Sequence, residues 1–389
     1  GDAVALCQSL IDSLGGEIRA HSRFGTAKWL LDAGVWRHIA PNLPEKQLQH
    51  LPEFIDFVTA RTEFYSSPTA LPTVAWSSIK QDLHRRDFTI NTLAIRLSPE
   101  HWGQLLDFYG GQTDLKAGII RVLHSLSFVE DPTRILRAAR FEARLDFHLD
   151  PRSEALIAEA LPLLDRVSGA RIRHEMELIF NEARPEAALE RLQALKVLQQ
   201  IDPALASDAR VHSIFTRLRQ TLDRRFWKLD EDALVRLHWA LFLYEVSTAA
   251  RERIATRLMM PRRLTDALLQ LDELRALLQA LPALDRPGDI VARLETLSSP
   301  LLAAGWLLAE DEDVKGKLYR YWTAWRHVQP LLTGGDLKAL GLAPGPLFRQ
   351  ILDTARIARL NGEIETREAE LALAHSLAAE ATASGTETE

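Results

Sequence analysis

The sequence predicts an α+β chain whose mixed first third gives way to an all-helical remainder. Three observations carry this. Residues 1 to 125 combine an amphipathic helix pattern with short β-rich runs. From about Phe128 onward the pattern is helical throughout, with Leu, Ala, Arg and Glu dominant. The 389 residues, 47% apolar and 26% charged, suffice for two or three domains with ordinary globular cores.

Val4, Cys7, Ile11 and Leu14 lie at helical spacing, so a helix opens the chain and Gly15-Gly16 ends it. The β-rich runs follow at Glu17 to His21, Ala27 to Asp32, Glu53 to Glu63 and Phe88 to Leu97. In the helical remainder Asp150-Pro151, Arg184-Pro185 and Asp202-Pro203 punctuate the segments, because proline suits a first helical turn and breaks an interior one. Further boundaries are expected near Arg286-Pro287-Gly288 and Thr333-Gly334-Gly335. The small polar residues Glu380 to Glu389 read as a disordered tail.

Composition excludes several classes. The single cysteine, Cys7, permits no disulfide within the chain and sits on an apolar helix face, where it reads as core; a cytoplasmic compartment is the expectation. No apolar run approaches the ~18 residues of a membrane span, and the longest, Leu301 to Ala309, ends in Glu310-Asp311-Glu312-Asp313, so no membrane partner is expected. With 47 Lys and Arg against 53 Asp and Glu, the net charge is −6, and any nucleic-acid surface must be a local patch. The twelve His never adopt zinc-site spacing, and neither a P-loop nor a dinucleotide fingerprint occurs.

The most informative stretch is Glu130-Asp131-Pro132-Thr133-Arg134-Ile135-Leu136-Arg137-Ala138-Ala139-Arg140-Phe141. Pro132 suits the first turn of a helix and Asp131 its cap. On that helix Arg134, Arg137, Arg140 and Arg144 share a stripe about 120° wide. Such a stripe suits a solvated face with a capping Asp. It also suits recognition of a base. Asp only accepts and Arg only donates hydrogen bonds, so a fixed Asp131/Arg134 pair complements adenine or cytosine, each of which shows an amino donor beside a ring-nitrogen acceptor. Guanine and uracil would set like against like and leave buried groups unpaired. Asp82-Leu83-His84-Arg85-Arg86-Asp87-Phe88-Thr89-Ile90-Asn91 mixes acids, bases and Asn ahead of an apolar run, which suits phosphate and ribose contacts or a surface ion-pair cluster.

DLHRRDFTINTLA, LLDFYGGQTDLKAGIIRVL, FVEDPTRILRAARFEARLDF and SGARIRHEMELIF, in this order and spacing, closely resemble the bacterial-type (class II) tRNA nucleotidyltransferase and poly(A) polymerase family. The resemblance implies an incomplete polymerase-β-like head over residues 1–125, a helical neck over 126–200, a body over 201–332 and a tail over 333–389. It makes Asp131 and Arg134 the side-chain template for an incoming A or C, Arg86, Arg137 and Arg140 nucleotide ligands, Asp87 a ribose contact and Asn91 its brace. Asp107 to Leu115 would be a hinge, Arg171 to Glu175 part of a buttressing helix, and Arg23-Phe24-Gly25-Thr26 a mobile loop.

The same resemblance implies ATP and CTP as substrates, two Mg²⁺ ions, and RNA as partner, foremost a tRNA acceptor stem whose CCA end is made or repaired. Family members open with a Gly-Gly turn and an Asp-x-Asp strand, neither of which occurs in these 389 residues. Asp56, in the strand-like run Phe54 to Val58, matches the third acidic position and would be a catalytic, partial metal ligand. The expectation is therefore an enzyme by family whose residues 1–389 alone transfer no nucleotide. The alternative is a non-catalytic RNA-binding homologue or one part of a split enzyme. Asp230/Asp232 and Asp311/Asp313 lie in helical context, where i and i+2 side chains diverge by ~200°, and read as solvated charge. RNA contact is expected from Arg217/Arg219, Arg224/Arg225 and Arg262/Arg263 with Trp227, Trp306, Trp322 and Trp325 interspersed, or these are surface arginines and core tryptophans.

Overall fold

A computed structural model describes residues 2–21, 25–48, 50–64 and 73–385. The chain divides into two units, Gly1–Val167 and Ser168–Glu389.

In the first unit Asp2 caps α1 (Ala3–Leu14), its carboxylate accepting from the N–H groups of Val4 and Ala5 at 2.9 and 3.3 Å. Gly16, with φ 97°, must lack a side chain: a Cβ there would meet Trp29 Nε1 at 2.5 Å. The strands β1 (Glu17–His21), β2 (Thr26–Leu30) and β3 (Phe54–Val58) form an antiparallel sheet in that order. The short helices α2 (Ala33–Ile39) and α3 (Glu45–Leu48) lie between β2 and β3 in the chain. Cys7, Ala27, Trp29, Leu31 and Val35 make a buried cluster between α1 and the sheet, and burial pushes the Cys7 thiol up, as suits a core residue rather than a nucleophile.

The run Glu53 to Glu63 breaks at Thr59-Ala60 into β3 and β4 (Arg61–Phe64), which pairs with β5 (Thr73–Trp76). After α4 (Ile79–His84), the run Phe88 to Leu97 is not one strand. It forms a 3₁₀ turn over Thr89–Thr92, then only the two-residue β6 (Ala94–Ile95) against β7 (Leu105–Leu106). Local side-chain bonds outcompete the sheet there: the Thr92 hydroxyl donates to the Thr89 carbonyl at 2.7 Å and the Asn91 amide to Asp87. Next come α5 (Gly111–Ala117), β8 (Ile119–Ile120), α6 (Ser127–Glu130) and α7 (Thr133–Leu145). β9 (His148–Leu149), parallel to β8, is followed by α8 (Pro151–Ala155) and α9 (Ile157–Ala160). The division after Val167 falls within the stretch 126–200 expected as a neck, with α6 to α9 in the first unit.

The second unit is helical among its described residues: α10 (Gly169–Phe180), α11 (Pro185–Ala194), α12 (Val197–Ile201), α13 (Ala209–Thr221), α14 (Glu231–Phe242), α15 (Thr248–Arg257) and α16 (Arg262–Leu269), then α17 (Leu271–Ala280), α18 (Pro287–Leu294), α19 (Ser299–Leu308), α20 (Glu312–Thr323), α21 (Gly334–Ala339), α22 (Pro346–Leu360) and α23 (Arg367–Gly385). Leu301, Ala303, Ala304 and Leu307 of α19 are wholly buried, so the longest apolar run is core. Among the described residues no helix is long and apolar enough to cross a membrane. Near the expected boundary at Arg286-Pro287-Gly288 a new helix, α18, starts, and Gly288 makes a close contact: its N–H donates to Asn361 Oδ1 at 2.9 Å, and a Cβ would lie 2.8 Å from Ile357. The expected tail is also shorter than composition suggested. α23 continues to Gly385, because Ala-rich sequence propagates a helix already nucleated, and 386–389 lie outside the described residues.

Candidate functional site

An open cationic cleft of about 680 Å³ lies in the first unit, built from the turn after α4 and the start of α7. Ser78 caps α4, accepting the Gln81 N–H at 3.3 Å. Asp82, only 3% exposed, accepts from Arg85 Nε and Nη2 at 3.0 and 2.8 Å and from the Arg61 N–H at 3.1 Å. Arg86 Nη2 stands 3.6 Å from its other oxygen. One buried carboxylate thereby gathers two arginines where the helix ends.

Asp87 follows and is buried. Arg137 Nε and Nη2 donate to its Oδ2 at 2.8 and 2.5 Å, while the Asn91 amide at 2.7 Å and the Phe88 N–H at 3.1 Å donate to Oδ1. Burial works to raise this carboxyl; the Arg137 guanidinium and the Asn91 amide more than offset it and hold Asp87 below the ordinary carboxylate range.

On the opposite wall, Pro132 stops α6 because it has no N–H to continue the ladder, leaving Asp131 extended. Asp131 Oδ1 accepts the N–H and the hydroxyl of Thr133 at 3.1 and 2.6 Å, the cap read from the sequence, and regular helix starts at Thr133. Arg134 is 5% exposed and is held by two carbonyls: Nη1 donates to Ser127 at 3.3 Å and Nη2 to Arg85 at 2.8 Å. A guanidinium has five N–H donors, so these two bonds fix its plane and leave donor capacity for a ligand.

Arg86, Asp87, Asn91, Asp131, Arg134 and Arg137 all line the cleft. The sequence reading missed Arg85, Ile90, Leu93 and Phe141, which line it too. Asp82, quoted in the sequence only as part of its mixed stretch, gathers the arginines through its i+3 and i+4 spacing to Arg85 and Arg86. Four arginines against two aspartates leave the cleft positive, suited to a phosphate-bearing ligand. The arginine stripe of α7 is solvated only at its end: Arg144 is exposed, whereas Arg134 and Arg140 are buried and Arg137 half-buried. Arg140 is 6% exposed and is not brought to the cleft: it lies about 120° around the helix from Arg134, with its guanidinium 5.3 Å from the Phe141 ring.

Asp107, at the start of the expected hinge, accepts the N–H groups of Gly111 and Gln112 at 2.8 and 3.0 Å; burial works against these bonds, yet they hold its carboxyl below the ordinary range. Gly111 must be glycine, since a Cβ would meet the Thr89 carbonyl oxygen at 2.5 Å. Arg171 to Glu175 fall on α10 of the second unit. Of the expected mobile loop, Arg23 and Phe24 lie outside the described residues.

Asp56 sits on β3 opposite Lys28, whose ammonium is 3.7 Å from its carboxylate, and its side chain is 60% exposed. Among the described residues no group of three or more His, Cys, Asp or Glu could hold a metal ion. Two ions held ~3.5 to 4 Å apart need several converging carboxylates. The described residues do not fit a two-Mg²⁺ site, and Asp56 is a lone, salt-bridged carboxylate.

Of the four tryptophans read as stacking surfaces or core, Trp227 and Trp322 are core, whereas Trp306 and Trp325 are half-buried. Trp227 and Trp322 are buried with ring centroids 5.2 Å apart, and Trp322 Nε1 donates to the Phe226 carbonyl at 2.7 Å. Arg217 donates to the Leu307 carbonyl and Arg219 to Glu186, whereas Arg224, Arg225, Arg262 and Arg263 are exposed.

A family model described as the poly A polymerase head domain matches residues 38–121, and one described as a probable RNA and SrmB-binding site of polymerase A matches residues 146–208. An A-adding tRNA nucleotidyltransferase of Geobacter sulfurreducens is 34% identical over 390 residues, covering 97% of this chain; the chain spans 42% of that protein's length. An A-adding tRNA nucleotidyltransferase of Halalkalibacterium halodurans is 33% identical over 378 residues, covering 95% of this chain and 80% of the relative. Among solved structures, the CCA-adding enzyme of Thermotoga maritima complexed with tRNA aligns with a TM-score of 0.71 and 27% identity, covering 98% of this chain and 85% of that one.

Proposed function

The chain belongs to the tRNA nucleotidyltransferase family, and from that premise we propose that it selects ATP or CTP for template-independent addition to the 3′ end of a tRNA. Adenosine addition is favoured, because the relatives matched over 95 to 97% of the chain carry that activity in their names. The observation that carries the reading is the rigid placement of Asp131 and Arg134 at one cleft, an acceptor beside a donor.

Asp131 accepts the exocyclic amino group of adenine or cytosine while Arg134 donates to the neighbouring ring nitrogen. Arg86 contacts the triphosphate; Asp87, oriented by Arg137 and braced by Asn91, contacts the ribose. Arg140 supports α7 from within. The reaction would join an RNA 3′ oxygen to the α-phosphorus and release pyrophosphate. Nucleotide selection is the part of it that these residues supply, since the described carboxylates do not fit a two-ion centre. The proposed partner is a tRNA acceptor stem in the cytoplasm, met by the exposed arginines of the second unit.

Equilibrium binding of the four nucleoside triphosphates to residues 1–389 tests the reading. ATP and CTP should bind about tenfold or more tighter than GTP and UTP, the discrimination expected of one bidentate base contact. Equal binding of all four contradicts it, and RNA binding without nucleotide preference would favour the non-catalytic alternative.

A further inference from the structure

A second, polar recess of about 280 Å³ shares the Arg85 and Arg134 side chains with the cleft, and His84, His124 and Glu130 line its far side. The two imidazoles stack, with centroids 5.2 Å apart and planes 16° apart. Each belongs to a segment that holds Arg134. His84 immediately precedes Arg85, whose carbonyl accepts Arg134 Nη2, and the His124 carbonyl accepts the N–H of Ser127, whose own carbonyl accepts Arg134 Nη1 and the Asp131 N–H. The ring stack thus ties together the only two segments seen to grip the guanidinium among the described residues.

We propose that the His84–His124 stack is a clasp that positions Arg134, and with it Asp131, for reading the nucleobase. The proposal rests on the nucleotide-selecting role given above. His124 is a positioning residue, since it acts through the carbonyls of Ser127 and Arg85 and does not line the cleft. The charged and titratable groups around it are His84 from α4, Arg85 just after it, Glu130 of α6, whose Oε2 is 3.6 Å from His124 Nε2, and Arg134 of α7; Tyr109 packs on His84.

Burial lowers the His124 pKa; Glu130 opposes this, and His84 and Arg134 lower it further. His124 therefore takes up its proton at lower pH than an ordinary histidine, and once charged it repels Arg134 and His84 and draws on Glu130. The clasp should loosen as pH falls.

The test is ATP and GTP binding to residues 1–389 between about pH 5.5 and 8. In the unaltered protein the ATP:GTP preference should shrink toward the acid end. His124→Phe keeps an aromatic ring without a titrating proton, so its preference should match the unaltered protein at neutral pH and stay flat on acidification. His124→Ala should lose about tenfold of the preference already at neutral pH. Asp131→Ala runs alongside. If it keeps the preference, the nucleotide-selecting reading itself falls; if it loses the preference while His124→Ala keeps it and His124→Phe retains the original pH profile, the clasp falls and the reading stands. Should His124→Ala fail to fold by circular dichroism, the His124→Phe profile alone decides: flat supports the clasp, unchanged pH dependence overturns it.

Discussion

Arg134 is held by two backbone carbonyls 42 residues apart in sequence, Arg85 and Ser127, and a lysine could not span both while still facing a base. Arg134→Lys should therefore weaken ATP binding by about 1 to 3 kcal/mol and erase discrimination against GTP, as measured by titration calorimetry. Asp87 makes a different prediction. Its folded pKa is depressed, so the stability it contributes is present above the ordinary carboxylate pKa and lost as pH falls through the lower folded value. Asp87→Asn removes the carboxylate that Arg137 grips through two N–H groups; it should lower both the melting temperature and the affinity for ATP, and flatten the acid limb of stability. The sequence singled out Asp131 and Arg134 by identity and spacing and Asp87 through the family resemblance, and all three line the cleft. The carbonyls of Arg85 and Ser127 were not legible, since every residue has one and only the fold selects which will hold a guanidinium.

At the scale of elements, the start of α7 was legible because Asp131-Pro132 is a local signal that no tertiary contact needs to complete. The run Phe88 to Leu97 misled for the opposite reason: its β-favouring residues are overruled by Asp87 and Thr89, whose bonds to Asn91 and Thr92 wind a 3₁₀ turn. That turn is wedged against α5. Gly111→Ala would press a methyl group onto the Thr89 carbonyl, which now leaves 2.5 Å for it, displacing the turn that carries Asn91. The expected cost is about 1 to 3 kcal/mol of stability, read by urea denaturation, with weaker ATP binding in proportion. Arg140 shows the limit of counting residues along a helix: both flanks of the 120° stripe are buried, and only packing decides which of them lines the cleft.

For the molecule as a whole, composition and periodicity predicted the α+β class and the helical remainder, while the division after Val167 has no local signal, since α6 to α9 before it and α10 to α12 after it share one helical texture. In the second unit the sequence left the tryptophans open between RNA stacking and core, because a large aromatic ring suits either; Trp227 and Trp322 are core. That core holds a pH-sensitive histidine. Burial, reinforced by Arg224, pushes His238 down to about 4, against 6.5 for an ordinary histidine. Between these values the unfolded chain binds a proton that the folded chain refuses, so stability falls as pH drops through this window and the loss, about 3 kcal/mol, is complete below it. His238→Phe, which keeps the packing against Phe180 and Phe215, should remove most of that slope in urea midpoints measured across the window. The central claim, that Asp131 reads the amino group of the incoming base, is tested most directly by a two-by-two binding cycle. ATP and purine riboside triphosphate, which lacks the 6-amino group, are each titrated into the unaltered protein and into Asp131→Ala. The account predicts that deleting the amino group costs the unaltered protein about 1 to 3 kcal/mol and costs Asp131→Ala nothing; an equal penalty in both proteins would contradict it.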